Sequence, residues 1–297
     1  MRYRPFGASG KAVSAVSLLL RDTPNMGTPH AWRGLVFGAM ESGVNCFELE
    51  AGSDVLALGV GEALSVVERR LIFLSLRLRG DAQRPLGGEA IAAGVRNALQ
   101  RTGAGYFDLL MLDEPAYETL TRDGYKLLDD LRAAGRALQI GVAGEGQAID
   151  QCIQSAAFDV LATPFSLISD WQARRRIKDA SAADMTLIAY DPFPPALCRP
   201  SKPAPLSGRA GLLRRAEPLA GAGTYAFLHE TPRWTAEELC LAYTLTEPAF
   251  ATTQVEAFRA DAIERLAAVT DRDLPTGVAA QIEMARFGGS GAEAKRA

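Results

Sequence analysis

The sequence predicts an α/β chain folded as a (β/α)8 TIM barrel with an N-terminal β-hairpin cap. Three observations carry that expectation. Short leucine-rich or β-branched runs alternate with longer amphipathic segments, the pattern of repeated β-α units around a parallel sheet. Eight such runs occur, each followed by a helical pattern, which fits a closed barrel better than an open doubly wound sheet. A length of 297 residues, 48% of them hydrophobic, can bury a core of that size within one domain.

Taken in order, RYRPF and the turn GASGK at 7–11 precede a first strand at 13–19 (VSAVSLL), so a hairpin can cap the barrel's bottom. A helix is expected at 30–42, a strand at 44–48 (VNCFE), a helix at 54–66 and a strand at 71–76 (LIFLSL). A helix at 88–101 leads to the strand 107–112 (FDLLML), then a helix at 117–134 and a strand at 138–142 (LQIGV). A helix at 146–156, a strand at 158–162 (FDVLA), a helix at 168–182 and a strand at 186–190 (TLIAY) follow. Residues 191–234 then break the rhythm with proline and glycine, and are expected to form a long loop over the C-terminal face, where barrels meet substrate. A disordered insertion is the alternative. The pattern resumes with a helix at 235–246, a strand at 251–255 (ATTQV) and a helix at 259–268, giving one barrel domain over 1–287 and a flexible tail, GGSGAEAKRA, at 288–297.

Composition removes several function classes. The formal charge of -3 comes from 32 basic and 35 acidic residues spread along the chain, so no nucleic-acid footprint and no polybasic membrane anchor is expected. Cys46, Cys152, Cys198 and Cys240 form no C-x-x-C pair, and with only His30 and His229 beside them a reduced state without zinc is expected. The opening MRYRPFG has no apolar signal region, and no run reaches the roughly 18 apolar residues of a membrane span. A cytoplasmic location follows as an expectation. The abundance of arginine, alanine and glycine suggests a GC-rich bacterial genome.

Several stretches resemble the aldo/keto reductase family. MRYRPFGASGKAVSAVSLLL is similar to that family's first hairpin and strand, and ESGVNCFELE to its G-V-N-x-F-D-T-A segment. RTGAGYFDLLMLDEP resembles D-Y-I-D-L-L-x-L-H-x-P, LRAAGRALQIGVAG resembles L-x-x-x-G-K-x-R-x-I-G-V-S-N, and MTLIAYDPF resembles I-A-Y-S-P-L. The family reduces carbonyls with NADPH, using an Asp, a Tyr, a Lys and a His at the top of the barrel. The resemblance assigns those four positions to Glu48, Ser53, Arg77 and Asp113. All four differ from the family pattern.

The differences have chemical consequences. A serine hydroxyl titrates far above a phenol's pKa of about 10 and cannot serve as a general acid at neutral pH. Arginine keeps its charge and cannot be tuned as a lysine can, although it can pair with a carboxylate in a bidentate fork. A carboxylate at 113 would repel a carbonyl oxygen gathering negative charge. Two readings of Glu48, Arg77 and Asp113 stay open: an acid-base site, or a structural network in which both carboxylates neutralise Arg77. Ser53 lacks a histidine to activate it as a nucleophile.

The nucleotide contacts change in the same way. The family's nicotinamide-holding side chains fall on Ala143 and Gly144, its glutamine on Ala162, and its Gly-Thr turn on Leu19 and Leu20. Glu256 stands at the glycine near the adenosine phosphate, with Arg259 as the nearest basic residue. Asp191 is an acid where the family has a serine, and Tyr190 remains as a stacking platform. No cofactor is therefore expected, and the chain reads as a pseudoenzyme that binds a small molecule in the barrel mouth or a protein partner. One alternative is an NAD(P)H-dependent oxidoreductase with Asp113 or His229 as proton donor; the other is a cofactor-free lyase or isomerase using Glu48 and Asp113. Trp32, Trp171 and Trp234 are expected to pack, and Arg174, Arg175 and Arg176 to form a solvated helical face.

Overall fold

A computed structural model describes residues 1–155, 157–198 and 225–293, with side chains as far as 286. Two antiparallel strands, β1 (Tyr3–Phe6) and β2 (Lys11–Ser14), come first, with Phe6 opposite Lys11. Gly7 and Gly10 turn the chain between them at φ +51° and +62°, and a side chain at Gly7 would overlap the Thr186 hydroxyl. The hairpin thus ends where the barrel floor begins.

Eight parallel strands close that barrel: β3 (Val16–Leu20), β4 (Cys46–Glu50), β5 (Phe73–Leu78), β6 (Phe107–Asp113), β7 (Ala137–Ala143), β8 (Val160–Pro164), β9 (Thr186–Tyr190) and β10 (Phe250–Val255), which pairs back to β3. Each strand position expected from the sequence is occupied within two residues, except that the first run, 13–19, is divided between hairpin and barrel at Ala15. Its amide donates to Arg2 O and its carbonyl accepts from Thr253 N, so the chain changes partners at that residue.

Helices wrap the outside: α1 (Pro29–Glu41), α2 (Asp54–Leu64), α3 (Gly88–Thr102), α4 (Glu114–Glu118), α5 (Arg122–Ala133), α6 (Gln147–Ser155), α7 (Trp171–Ala182), α8 (Pro195–Cys198), α9 (Phe227–Glu230), α10 (Ala236–Leu245), α11 (Ala260–Val269) and α12 (Thr276–Glu293). The expected helix at 117–134 is two helices. Residues 119–121 leave the helical path to bond Leu86 on both sides, and the Thr121 hydroxyl caps the new start by accepting from Gly124 N.

Strand alternation sorts the core into two layers. Outward side chains such as Leu18, Leu20, Phe47, Leu74, Leu76, Leu110 and Leu112 meet the helices, with Trp32 fully buried among them. Inward ones, Cys46, Phe73, Leu109, Met111, Val160 and Ile188, fill the lower barrel around Phe6 and Val13 of the hairpin. The Phe6 and Phe73 rings lie 4.2 Å apart, and the floor is sealed by apolar packing.

Most of the expected loop at 191–234, residues 199–224, lies outside the described residues; its described ends hold α8 and α9. Residues 288–293 of the expected tail belong to the backbone of α12, a helix the sequence pattern does not predict, and 294–297 are not described. Among the described residues no helix is long and apolar enough to cross a membrane.

Candidate functional site

Strand period 2 places alternate residues of β4 and β5 on the inward face, so Glu48 brings Glu50 with it and Arg77 brings Arg79 at the end of its strand. The register sets Glu48 beside Ser75, Arg77 beside Met111 and Asp113 beside Ala143. These side chains therefore gather at the C-terminal mouth.

Glu48 and Arg77 form the deepest pair. Arg77 Nε lies 2.5 Å from Glu48 Oε1, with only 2% of the Glu48 side chain exposed, but the N–H does not point along a hydrogen-bonding line to that oxygen. Ser75 Oγ donates to the other oxygen at 3.3 Å, and Arg77 reaches Gln254 Oε1 at 3.4 Å. The guanidinium also stands 5.8 Å from the centre of the Tyr190 ring. Burial pushes the Tyr190 phenol above its usual range, outweighing the opposite pull of Arg77.

A second layer lies above. Glu50 receives Arg21 at 2.9 Å and Arg79 at 3.6 Å, and Arg21 reaches on to Glu256 at 3.2 Å. The Glu256 carboxyl is held above the usual carboxylate range, with burial as the largest cause and Arg21 acting against it. Asp113 does not join Arg77. Its Oδ1 accepts from Gly80 N at 2.8 Å and from Ala116 N at 3.0 Å, capping α4, and its nearest cation is Arg79 at 3.7 Å. The reading in which both carboxylates neutralise Arg77 is thus corrected: the amides of Gly80 and Ala116 hold Asp113 away from that role.

Glu114 completes the rim. Its carboxylate accepts from Glu145 N at 3.2 Å and from Gly146 N at 3.1 Å. The same side chain fills the space over Gly144, where a methyl group would meet Glu114 Oε2 at 2.5 Å, Glu114 Cβ at 2.8 Å and Ile149 Cγ1 at 2.9 Å. Residue 144 is kept small by this packing.

Two cavities open on this layer. One of about 260 Å³ is walled by Arg77, Arg79, Asp113, Ala143, Gly144 and Tyr190 among others. Its neighbour, about 330 Å³, is walled by Leu19, Tyr190, Asp191, Phe193, Gln254 and Glu256, and the two share Arg21, Arg77 and Tyr190. Among the described residues of both linings six carboxylates, Glu50, Asp113, Glu114, Glu145, Asp191 and Glu256, face three guanidiniums, Arg21, Arg77 and Arg79. Among the described residues no lysine or histidine lines either cavity.

The other residues singled out in the sequence lie elsewhere. Ser53 caps α2, its hydroxyl accepting from Leu56 N at 3.3 Å, and lines neither cavity. Ala162 is fully buried in the barrel interior. Arg259 pairs with Asp261 at 2.9 Å on an exposed turn. His229 faces the Leu197 carbonyl at 2.9 Å and lines neither cavity, which removes it as a proton donor there. The expected solvated run on α7 is only partly so, since Arg176 is buried against Asp150 and Arg174 donates to the Tyr243 hydroxyl. Sequence reasoning missed Arg21, Glu50, Arg79, Glu114 and Glu145 as mouth residues. Strand alternation from Glu48 and Arg77 could have found Glu50 and Arg79.

The aldo/keto reductase family model matches residues 55–286. Arg77, Asp113 and Tyr190 fall within the match, whereas Glu48 and Ser53 precede it. With that match covering most of the chain and the barrel closed as described, this chain belongs to the aldo/keto reductase family.

Proposed function

We propose that this chain is a member of its family that does not reduce carbonyls with NADPH, and that its barrel mouth holds a small neutral or cationic molecule. The surplus of carboxylates over guanidiniums among the described residues around the two cavities carries the reading. A phosphate charge held about 8 Å from one uncompensated carboxylate is disfavoured by ~2 kcal/mol at an effective dielectric near 20, about thirtyfold in affinity. The surplus here is several charges, not one.

The residues present do not fit NADPH. At the positions that the resemblance assigns to the nicotinamide amide, Ala143 has no donor, and Gly144 cannot carry a side chain while Glu114 fills its space. The neighbouring amides of Glu145 and Gly146, which could hold an anion, already donate to Glu114. Where the adenosine phosphate would lie, Arg21 is engaged by Glu50 and Glu256, and Arg259 by Asp261. The Glu48–Arg77 pair keeps an ion pair in altered form, but the side-chain oxygens of Ser53 and Asp113 are used as helix caps that accept from backbone amides. The lyase or isomerase reading also loses support, because Glu48 lines neither cavity.

One observation favours a second reading, an oxidoreductase with a rearranged proton donor. Tyr190 is a phenol at the mouth beside the Arg77–Glu48 pair. Its raised pKa makes it a weaker acid than an ordinary tyrosine, which counts against that role. NADPH oxidation followed with a panel of aldehydes and quinones separates the two readings: no turnover above buffer is expected. Steady turnover that disappears in Tyr190→Phe would replace the first reading with the second.

A further inference from the structure

Cys198 and Cys240 are 42 residues apart in sequence, and nothing in their spacing marks them as a pair. The fold brings them together. Cys198 ends α8, Cys240 lies in the first half of α10, and their sulfurs are 3.8 Å apart, with both thiols free. A disulfide needs the sulfurs to close from 3.8 Å to about 2.05 Å. We propose that Cys198 and Cys240 are a redox-active dithiol that a low-molecular-weight disulfide converts reversibly to an intramolecular bond.

The two thiols are built for unequal tasks. Cys198 is partly exposed and hydrogen-bonded to Cys240, and that hydrogen bond lowers its pKa, so it is the accessible and more acidic thiol of the pair. Cys240 is fully buried, and that same hydrogen bond together with burial pushes its thiol up. The remaining cysteines differ from this pair. Cys46 lies inside the barrel with its thiol pushed up by burial, and Cys152 is buried with its thiol pushed up to about 11 for the same reason. Selectivity for Cys198 follows from access and thiolate character together.

The exchange balances with oxidised glutathione as the disulfide. The Cys198 thiolate attacks one glutathione sulfur, breaking the S–S bond, forming a protein–glutathione disulfide and releasing one glutathione thiolate, which takes up a proton. Capped as the adduct, Cys198 no longer shares the thiol–thiol hydrogen bond with Cys240, so the interaction that raised the Cys240 pKa is gone. Cys240 loses its proton and attacks the Cys198 sulfur, closing the intramolecular bond and expelling the second glutathione. The two protein thiols are oxidised by two electrons and one glutathione disulfide is reduced to two thiols. The product ties α8 to α10. Because α8 follows Asp191, Pro192 and Phe193 in the chain, the bond would anchor the stretch that walls the larger mouth cavity.

The test is incubation of the folded full chain with oxidised glutathione, followed by thiol counting and peptide mass mapping without reduction. The expected result is loss of two thiols per chain, a Cys198–Cys240 linked peptide, and full recovery with dithiothreitol. In Cys240→Ala, Cys198 should accumulate as the glutathione adduct instead, since nothing resolves it. The proposal is overturned if wild type keeps all its thiols, if it stops at a stable Cys198 adduct, or if the link involves Cys46 or Cys152. The wild-type map alone decides the matter if Cys240→Ala does not fold.

Discussion

Asp108 and Asp113 sit at opposite ends of the same strand, and their surroundings differ in kind. Asp108, near the floor, accepts from Lys11 at 2.7 Å, Arg69 at 2.9 Å and the Leu74 amide at 2.9 Å, beneath a plug of aromatic rings. Its charge is matched by two cations and its site is closed. Asp113, at the mouth, has two amides and one distant guanidinium, and opens on a cavity where acids outnumber bases. The floor spends its polar groups on holding the barrel together, whereas among the described residues the mouth cavities have more carboxylates than guanidiniums. The proposed binding role goes with the end whose described charges are not balanced internally.

The largest expected effects test that contrast in stability. Asp108→Ala strands two largely buried cations and one amide, and should cost roughly 3–5 kcal/mol in urea unfolding, whereas Asp113→Ala loses a helix cap and a tether and should cost about 1–2 kcal/mol. Equal costs would erase the distinction between the two ends. Arg77→Met leaves Glu48 buried without its partner and should cost about 3–5 kcal/mol, and adding Glu48→Gln should recover most of that loss. If the double variant is as unstable as the single one, the two side chains do not act as a pair.

The smallest effect sharpens the charge argument. Because the folded-state pKa of Glu256 is raised, the folded protein binds this proton more tightly than the unfolded chain does. The resulting stability is fully present below the ordinary carboxylate pKa and is lost as pH rises through the raised value. Glu256→Gln should therefore gain on wild type across that window, by no more than about 0.5 kcal/mol because a third of the side chain is in water. A wild type that gains on the variant as pH rises would mean that Arg21, not burial, dominates at this carboxyl.

Much of the fold was legible because strand and helix periodicity are local properties. LIFLSL and FDLLML could be read as barrel strands from their own residues, and the divided helix at 117–134 escaped only because Thr119 to Thr121 answer to Leu86, a partner more than 30 residues away. Less of the site could be read. The family resemblance placed Glu48, Arg77, Asp113 and Tyr190 at the mouth, but no sequence pattern states that Asp113 spends its lone pairs on Gly80 and Ala116, or that Glu114 fills the space over Gly144. Those are contacts between separate β-α units, fixed only when the barrel closes. Ser53 illustrates the reverse error: its position suggested chemistry, and its first use is as the cap of α2.

The central claim is that the mouth no longer accepts the family's nucleotide, and titration of the purified chain with NADPH and NADH by calorimetry, with thermal shift alongside, tests it most directly. No binding heat and no shift in Tm at millimolar nucleotide is the predicted result. Saturable micromolar binding would contradict it, showing that the acids around Arg21, Arg77 and Arg79 do not keep phosphates out.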